Sequence, residues 1–355
     1  MSLDTKLSKA INRIYLLALL FLLPGAVIAA IPEISTENGW GGWVTIGLGY
    51  TDLESNTVAG NKWIDIGNDS INNISDSPQS DDTVHIAPGG AVSYTFGDQW
   101  QVFLGSSLID RLTLDFSQQI GFRKQTDRAG RFGAGILFSG VPTEVWENPY
   151  QTSSPRQEAD RDSAGIRLEW DKIFGSGANV TLDLRDIEID NERIGQGVGG
   201  CTAACQSQLR RDGDFARLEF AWGLKLYSRH LFRPAIRLVS NDRDGDAQDN
   251  DAASFLLTYS LLGENFTLAT TAVYNNTEYD NPNPIYGIKQ DSDGFALSGT
   301  VFYNVSKSGR WQLVGTVAYA EDDSDIDFHD TELFQVILGA YFSFGNEKNP
   351  WHKHL

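Results

Sequence analysis

The sequence is poor in cysteine, methionine and histidine, with two, one and five of them in 355 residues. A structural zinc site takes four cysteine or histidine ligands, and no further cysteine or nearby histidine accompanies Cys201 and Cys205. No Gly-x-Ser-x-Gly elbow or His-x-Ser pair is present, so the patterns that mark a serine nucleophile are missing. We therefore predict no cofactor and no enzymatic activity.

Long apolar runs are also missing beyond residue 30, where no stretch approaches the roughly 20 apolar residues that a membrane-spanning helix needs. Only helices and closed barrels satisfy their own backbone hydrogen bonds in lipid. A mature chain that enters a membrane must therefore do so as a barrel. The content of 35 Gly, 19 Phe, 12 Tyr and 9 Trp fits strands that show apolar residues at alternate positions only.

Basic residues are scarce, at 28 Lys and Arg against 47 Asp and Glu, which gives a formal net charge of −19. An acidic excess of this size argues against nucleic acid as a partner. Most of the excess falls in the polar segments between the predicted strands. A solvated exterior is therefore the simplest interpretation of the charge.

The N-terminal segment has the order of a secretory signal peptide. Basic residues precede the apolar run Ile14–Leu23, a Pro-Gly pair ends that run, and Val27–Ala30 offers small residues for cleavage. We predict that residues 1–30 are removed and that the mature chain begins near Ala30 or Ile31. An uncleaved N-terminal anchor is the alternative.

Secretion bears on the two cysteines, because an oxidising compartment favours disulfides. Cys201 and Cys205 are close in sequence and even in number, so we predict that they form a bridge. With three residues between them, the bridge would close a loop tip and would not determine the fold.

The stretch Glu332–Phe344 alternates with period two, and its apolar face ends in two aromatic residues. Gly339, Phe342 and Phe344 have the spacing of the C-terminal insertion signal of Gram-negative outer-membrane barrels, which this stretch resembles. Two features depart from that signal. Ile337 stands where the signal has a polar residue, and the chain continues through 346–355, which we predict to be a short periplasmic tail.

Residues 31–345 form a succession of segments in which apolar and polar residues alternate. The connections between these segments are short and long in turn. This is the order of a transmembrane barrel with tight periplasmic turns and longer external loops. We predict an all-β fold, a single antiparallel barrel of about 14 strands, with 12 as the alternative. A soluble sandwich would leave the aromatic residues at the strand ends without explanation.

With its Gly-Trp-Gly-Gly-Trp start at 39–43 and its Gly-Ala-Tyr-Phe-Ser-Phe ending, the chain resembles porin-like outer-membrane barrels, and in particular a domain-of-unknown-function family of such proteins. The resemblance implies residence in the outer membrane. It also implies membrane lipid, lipopolysaccharide and the barrel-assembly machinery as partners. It brings no catalytic activity with it.

If the apolar faces meet lipid, the charged residues on the opposite faces point into the barrel. These predicted lumen-lining residues are Asp115, Arg123, Arg167, Glu169, Asp183, Arg185, Arg217, Glu219, Lys225, Arg233 and Arg237. One interpretation is a channel wall that selects solutes by charge. The other is a ladder of cross-strand ion pairs that stiffens the barrel. Both remain open at this point.

Two further hypotheses concern the loops. Asp242, Asp244 and Asp246 alternate as carboxylates do in calcium loops, but they lack the order of an EF-hand, so they are only a weak metal candidate. His85, with aspartates just upstream, is the residue on which a hydrolase at the membrane rim would depend.

The sequence favours a porin-like channel for small hydrophilic or ionic solutes. A non-conducting barrel is the alternative, with the segments 52–82 and 191–213 as its interaction surface. A rim hydrolase is a more distant alternative.

Overall fold

A computed structural model describes residues 34–346 except 63, 107–117, 153 and 307. The predicted signal peptide, Asp115 and the tail beyond residue 346 lie outside the described residues. Within the part that is described, no helix is both long enough and apolar enough to cross a membrane.

Strands dominate the described chain, as the period-two alternation predicts. The strands are β1 (Gly39–Ser55), β2 (Val58–Asn61), β3 (Ile64–Asp65), β4 (Ser80–Ile86), β5 (Gly89–Phe96), β6 (Trp100–Gly105), β7 (Gln118–Thr126), β8 (Gly130–Phe138), β9 (Thr143–Trp146), β10 (Glu158–Asp171), β11 (Ala178–Ile189), β12 (Gly213–Trp222), β13 (Leu224–Leu226), β14 (His230–Arg243), β15 (Asn250–Leu262), β16 (Phe266–Tyr279), β17 (Ser292–Asn304), β18 (Trp311–Ser324) and β19 (Thr331–Gly345). Helical structure is limited to α1 (Ala203–Gln208) and the 3-10 turns Ile173–Gly175, Asp246–Gln248 and Asp327–His329.

These strands close into an antiparallel barrel of 14 strands, which confirms the predicted fold. β4 and β5 act as one barrel strand because both pair with β1, and β12 and β13 act as one because both pair with β14. β19 pairs with β1 and closes the sheet, so that neither of these strands is left with an open edge. The short strands β2, β3 and β9 extend the sheet beyond the barrel, from β10 outward.

The seam between β1 and β19 brings two backbones very close together. Gly339 lies opposite Gly47, and a Cβ on Gly339 would come within 2.4 Å of the carbonyl oxygen of Ile46. Glycine is therefore required at this position of the predicted insertion signal. Phe342 and Phe344 stack with ring centroids 6.4 Å apart. Their role in insertion stays a prediction.

The barrel strand that pairs with β1 is interrupted between β4 and β5. Pro88 has no backbone N–H to donate, so a ladder hydrogen bond is lost there. The register with β1 is unchanged across the break, and Ala87 still exchanges two hydrogen bonds with Gly47, at 2.9 and 3.2 Å. The interruption is thus local.

The exterior of the barrel is apolar. Val44, Ile46 and Leu48 on β1 are 50%, 64% and 65% exposed, which is unusual for large apolar side chains and typical of a surface that meets lipid. Aromatic pairs follow the end of the barrel that carries the short turns. They are Trp40 with Tyr94, Trp100 with Phe122, Phe132 with Trp170 and Trp311 with Phe342.

The long-loop end contains regular structure that the hydrophobic alternation does not mark. Much of the polar segments 241–251 and 321–331 is strand, at the ends of β14, β15, β18 and β19. In addition, α1 lies in the segment 191–213. We call the apolar band of the outer face the apolar belt. Between this belt and the external loops both faces of a strand are polar, and the hydrophobic alternation that marks a strand disappears.

Candidate channel wall and outer cap

The strands β7, β8 and β10–β14 place a dense set of charged side chains on the inner face of the barrel. We call this set the charged wall. Its basic members are Arg123, Arg131, Arg161, Arg167, Arg185, Arg217, Lys225, Arg233, Arg237 and Arg243, and its acidic members are Glu169, Asp171, Asp183 and Glu219. It includes every predicted lumen-lining residue that the structure describes. Arg131, Arg161, Asp171 and Arg243 were not predicted.

Asp183 on β11 is the centre of this wall. Its carboxylate accepts two hydrogen bonds from Arg167, from Nε at 2.7 Å and from Nη2 at 2.9 Å. It also lies 2.8 Å from Nη2 of Arg185 and 2.5 Å from Nη2 of Arg217. The side chains of Asp183 and Arg167 are 0% and 1% exposed. One carboxylate thus neutralises part of the charge of three guanidinium groups in a site that is nearly closed to solvent.

Glu219 on β12 forms the second centre. Its oxygens accept hydrogen bonds from Nη2 of Arg233 at 2.8 Å and from Nε and Nη2 of Arg237 at 3.1 and 2.9 Å. Nε and Nη1 of Arg233 are buried and meet no hydrogen-bond partner among the described residues. Donors that have lost water without finding an acceptor are costly. This part of the wall therefore has more donors than acceptors.

Two further ion pairs occupy the end of the wall near the short turns. Arg131 binds Asp171 through Nε at 3.0 Å and Nη2 at 2.6 Å, and Nε of Arg123 lies 3.3 Å from Glu169. The guanidinium of Arg123 also covers the ring of Phe103, 3.8 Å from the centroid. Every acidic side chain of the charged wall thus has an arginine partner, while ten basic groups face four acidic ones.

The opposite side of the interior, formed by β15–β19 and β1, carries mostly small neutral side chains. We call it the hydroxyl wall. Thr258 bonds Thr271 and Thr300 bonds Thr316, each pair at 3.0 Å, and Oγ of Ser254 donates to Asn275 at 2.7 Å. These side chains project less far than arginine. They satisfy one another without any net charge.

His85 lies on the inner face of β4, beside the hydroxyl wall. Its Nε2 is 2.9 Å from Oγ1 of Thr51, and its Nδ1 is 3.3 Å from the carbonyl oxygen of Ile86. Oδ2 of Asp81, the upstream carboxylate on the same face, accepts the backbone N–H of Gly67 at 2.8 Å. The Asp–His pair that a rim hydrolase would need is therefore not formed by these residues.

Above the long-loop end, five external segments pack against one another and form a second, apolar core. We call this structure the outer cap. Its buried residues are Tyr150, Ile194, Leu209, Ile326 and Phe328, with Ile71, Ile74, Ile285 and Tyr286 packed against them. Burial of each large apolar side chain is worth about 1.5–3 kcal/mol. The external segments are thus held together by their own hydrophobic core.

A polar network crosses this core. The hydroxyl of Tyr150 is 3.1 Å from Nε2 of His329 and accepts a hydrogen bond from Asn283 at 3.2 Å, while the hydroxyl of Tyr286 donates to the carbonyl of Ile74. Burial lowers the pKa of His329 to about 3, and the positive charge of Arg211 acts in the same direction. The imidazole is therefore neutral at physiological pH.

Burial also raises the pKa of Tyr150 to about 12, against smaller opposing effects of Asn283 and Arg211. Its phenol therefore keeps its proton. The network of the outer cap is uncharged at its centre.

The predicted disulfide between Cys201 and Cys205 is present and packs against the outer cap. It spans the start of α1, where it packs against the core of the outer cap. In the described part of the chain, no three carboxylates, histidines or cysteines come together as a metal site, and this includes Asp242, Asp244 and Asp246.

Residues 39–343 match a family model described as "Protein of unknown function (DUF2860)". No curated protein sequence matches the chain. Three solved structures illustrate the likeness of fold. An anion-selective porin from Comamonas acidovorans is 11% identical over 87% of this chain and 99% of that one, with a TM-score of 0.39.

The COG4313 outer membrane channel from Pseudomonas putida F1 is 11% identical over 91% of this chain and 100% of its own, with a TM-score of 0.40. The CymD monoaromatic hydrocarbon channel is 10% identical over 86% of this chain and 89% of its own, with a TM-score of 0.43. At these values the likeness transfers no substrate.

Proposed function

The chain belongs to the DUF2860 family of proteins of unknown function, and we propose that it forms an outer-membrane channel through which small hydrophilic or ionic solutes diffuse. The observation that carries the proposal is the contrast between the two faces of one sheet. The outer face is apolar around the barrel, and the inner face is charged along the consecutive barrel strands β7, β8 and β10–β14. The contrast supports a barrel that meets lipid on its outer face and polar solutes on its inner face.

Residence in the membrane is supported by what the outer face excludes. A Lys or Arg on the lipid face costs about 2–4 kcal/mol at the bilayer midplane. Across the middle of the barrel, outward positions such as Ile166, Leu182 and Leu218 are apolar in neighbouring strands. Lys124 does face outward, but it lies at the short-turn end and not at the middle of the barrel. Its Nζ lies 5.2 Å from the ring centroid of Trp100.

The orientation follows from the connections. The short turns and the girdle of aromatic pairs would face the periplasm, and the outer cap would face the exterior. Membrane lipid, lipopolysaccharide and the barrel-assembly machinery would then be the partners of the protein, with small solutes as its cargo and without nucleic acid. We propose no cofactor and no catalytic activity.

The channel proposal is tested by single-channel recording of the purified, refolded mature protein in a planar bilayer. Heat-modifiable migration on a gel first establishes that the barrel is folded. We expect steady openings whose reversal potential changes when Arg217 and Arg237 are replaced by Glu. A folded barrel that shows no openings under any voltage would refute the channel proposal.

A specific observation favours a second function, that of a non-conducting barrel with an interaction surface. The hydrophobic core of the outer cap covers the long-loop end, as a rigid recognition surface would. Recording from a variant with a disrupted cap, such as Phe328→Ala, separates the two functions. Openings that become more frequent identify the cap as a gate over a channel, whereas silence in both proteins favours the interaction surface.

A further inference from the structure

The side chain of Arg161 on β10 faces the interior and makes no hydrogen bond or ion pair with any other described residue. The charged groups that act on it are three further arginines, Arg185, Arg211 and Arg243. All of them have the same sign. A cation in a partly dehydrated site is costly without a counterion, and neighbouring cations add to that cost.

The register explains why these arginines are neighbours. Arg161 lies opposite Ile189 on β11. Ile187, two residues earlier on the same face of β11, lies opposite Gly213 on β12. Gly213 in turn lies opposite Arg243 on β14. Arg161 and Arg243 therefore occupy adjoining inward rows at the outer end of the charged wall. We call Arg161, Arg185, Arg211 and Arg243 the arginine cluster.

Arg211 connects this cluster to the outer cap. It lies two residues before β12, and its Nη2 donates to the carbonyl oxygen of Trp146 at 2.8 Å. Its Nε donates to Glu192 at 2.7 Å. The same arginine acts electrostatically on Tyr150 and His329. The arginine cluster thus lies at the junction of the barrel and the outer cap.

Three of the four arginines have acceptors of their own, and Arg211 has a carboxylate partner in Glu192. Arg185 shares Asp183 with Arg167 and Arg217. Arg243 donates to two neutral acceptors, the carbonyl oxygen of Gly213 at 3.2 Å and Oδ1 of Asn241 at 2.5 Å.

Asp212, Asp214 and Asp249 are near Arg243, and Asp212 and Asp249 accept the backbone N–H groups of Ile189 at 2.7 Å and of Arg243 at 2.6 Å. Arg161 is therefore the member of the cluster whose side chain has no acceptor among the described residues. Guanidinium groups bind the oxygens of phosphates and carboxylates with paired hydrogen bonds.

We propose that the arginine cluster is a binding site for small oxyanions that carry phosphate or carboxylate groups, with Arg161 as the group whose charge the anion neutralises. As a statement about solutes in transit, this rests on the proposed channel function. As a statement about binding, it is tested without any conductance.

The binding test uses calorimetric titration of the folded, detergent-solubilised protein with inorganic phosphate and, separately, with succinate. The key variant is Arg161→Gln, which should fold because the side chain of Arg161 makes no bond to a described residue and the backbone pairing is unchanged. Arg229→Gln is the matched control, since Arg229 is an exposed arginine on a short turn. We expect Arg161→Gln to weaken binding about tenfold, the effect of one charge-assisted contact, and the control to bind like the wild type.

A thermal readout checks the same site independently. Phosphate should raise the melting temperature of the wild type and of Arg229→Gln but not that of Arg161→Gln. In buffer without oxyanions, Arg161→Gln should melt higher than the wild type, because a like charge has been removed. Equal binding by Arg161→Gln and the wild type, or a wild type that binds neither anion at millimolar concentration, overturns the site.

Recording in bilayers separates this inference from the proposed function. A barrel that binds phosphate through Arg161 but never conducts has the site and is not a channel. A barrel that conducts, with currents unaffected by phosphate and no preference for anions in a salt gradient, is a channel without the site. Phosphate that reduces chloride current in the wild type and not in Arg161→Gln supports both.

Discussion

The charged wall and the outer cap are held together by opposite means, although the arginine cluster joins them. In the charged wall, Asp183 binds three arginines and Glu219 binds two, and the geometry depends on charge. In the outer cap, apolar side chains from five segments form the core, and the polar groups at its centre are neutral. The stability of the charged wall therefore depends on salt and charge, whereas that of the outer cap depends on burial and pH.

The charged wall and the outer cap differ in what the backbone around them provides. The barrel fixes the backbone of the charged wall, so side chains there can carry charge without having to create the fold. Only the short strands β2, β3 and β9 continue the sheet among the external segments, so these segments depend on a core of their own. If the protein is a channel, selectivity would depend on the wall and access on the cap.

The largest effect that would test this comparison is expected at Asp183. Asp183→Asn leaves three arginines beside a neutral amide. Breaking a buried ion pair costs about 3–5 kcal/mol, and we expect a loss of that size in the free energy of unfolding. The measurement is urea unfolding in micelles, followed by tryptophan fluorescence.

Thr258→Val on the hydroxyl wall is the control for Asp183→Asn. It removes one neutral hydrogen bond, to Thr271, and should cost about 1 kcal/mol. Equal losses in the two variants would show that the carboxylate is not the centre of the charged wall.

A slightly smaller effect is expected from Phe328→Ala in the outer cap. Phe328 is 1% exposed and packs against Tyr150 at a ring-centroid distance of 5.1 Å. Loss of a buried phenylalanine costs about 3 kcal/mol. Because the cap core is separate from the barrel sheet, we expect faster hydrogen exchange in the external segments and little change in the barrel strands.

The matched control for this variant is Phe295→Ala, an exposed residue of the outer face of β17. It should leave exchange in the external segments unchanged. Uniform acceleration throughout the barrel in Phe328→Ala would instead show that cap and barrel unfold as one unit.

The outer cap should also open as the pH falls. The pKa of His329 is lowered to about 3 in the closed cap from an ordinary value of 6.5, so the open form binds a proton more readily. Above pH 6.5 the imidazole is neutral in both forms and the cap keeps its full stability. Below pH 6.5 that stability is lost by about 1.4 kcal/mol per pH unit until the pH approaches 3.

Hydrogen exchange of the external segments at pH 7 and pH 5 measures this loss, after correction for the intrinsic pH dependence of exchange. In His329→Gln the side chain does not titrate, and the corrected difference should shrink. The ion pairs of the charged wall should not change over this range, so the barrel strands provide an internal reference. A pH response of the same size in His329→Gln would assign it to another group.

The period-two pattern predicted the barrel and the inward positions of residues such as Arg167 and Glu219, because their strands lie within the apolar belt. It missed Arg161 and Arg243, which lie where the outward residues are polar too and the hydrophobic alternation ends. Their relation depends on pairing across β10, β11, β12 and β14, which no local pattern contains.

The outer cap was beyond sequence reasoning for a different reason. Ile71, Tyr150, Ile194, Ile285 and Phe328 are isolated apolar residues in polar segments that are far apart in the chain. None belongs to a periodic pattern, so nothing in the local sequence predicts that any of them is buried. Only closure of the barrel brings the five segments to the same end, where these residues can share a core.

The smallest effect is expected from the disulfide. Cys201 and Cys205 close a loop of only a few residues, and a bridge over so short a loop contributes about 2 kcal/mol at most. In the double variant Cys201→Ser with Cys205→Ser, exchange should therefore rise around α1 and much less near Phe328 or in the barrel. Faster exchange throughout the outer cap would show that the bridge, and not the apolar core, holds the external segments together. The outer cap would then differ from the charged wall by its covalent bond and not by its hydrophobic core.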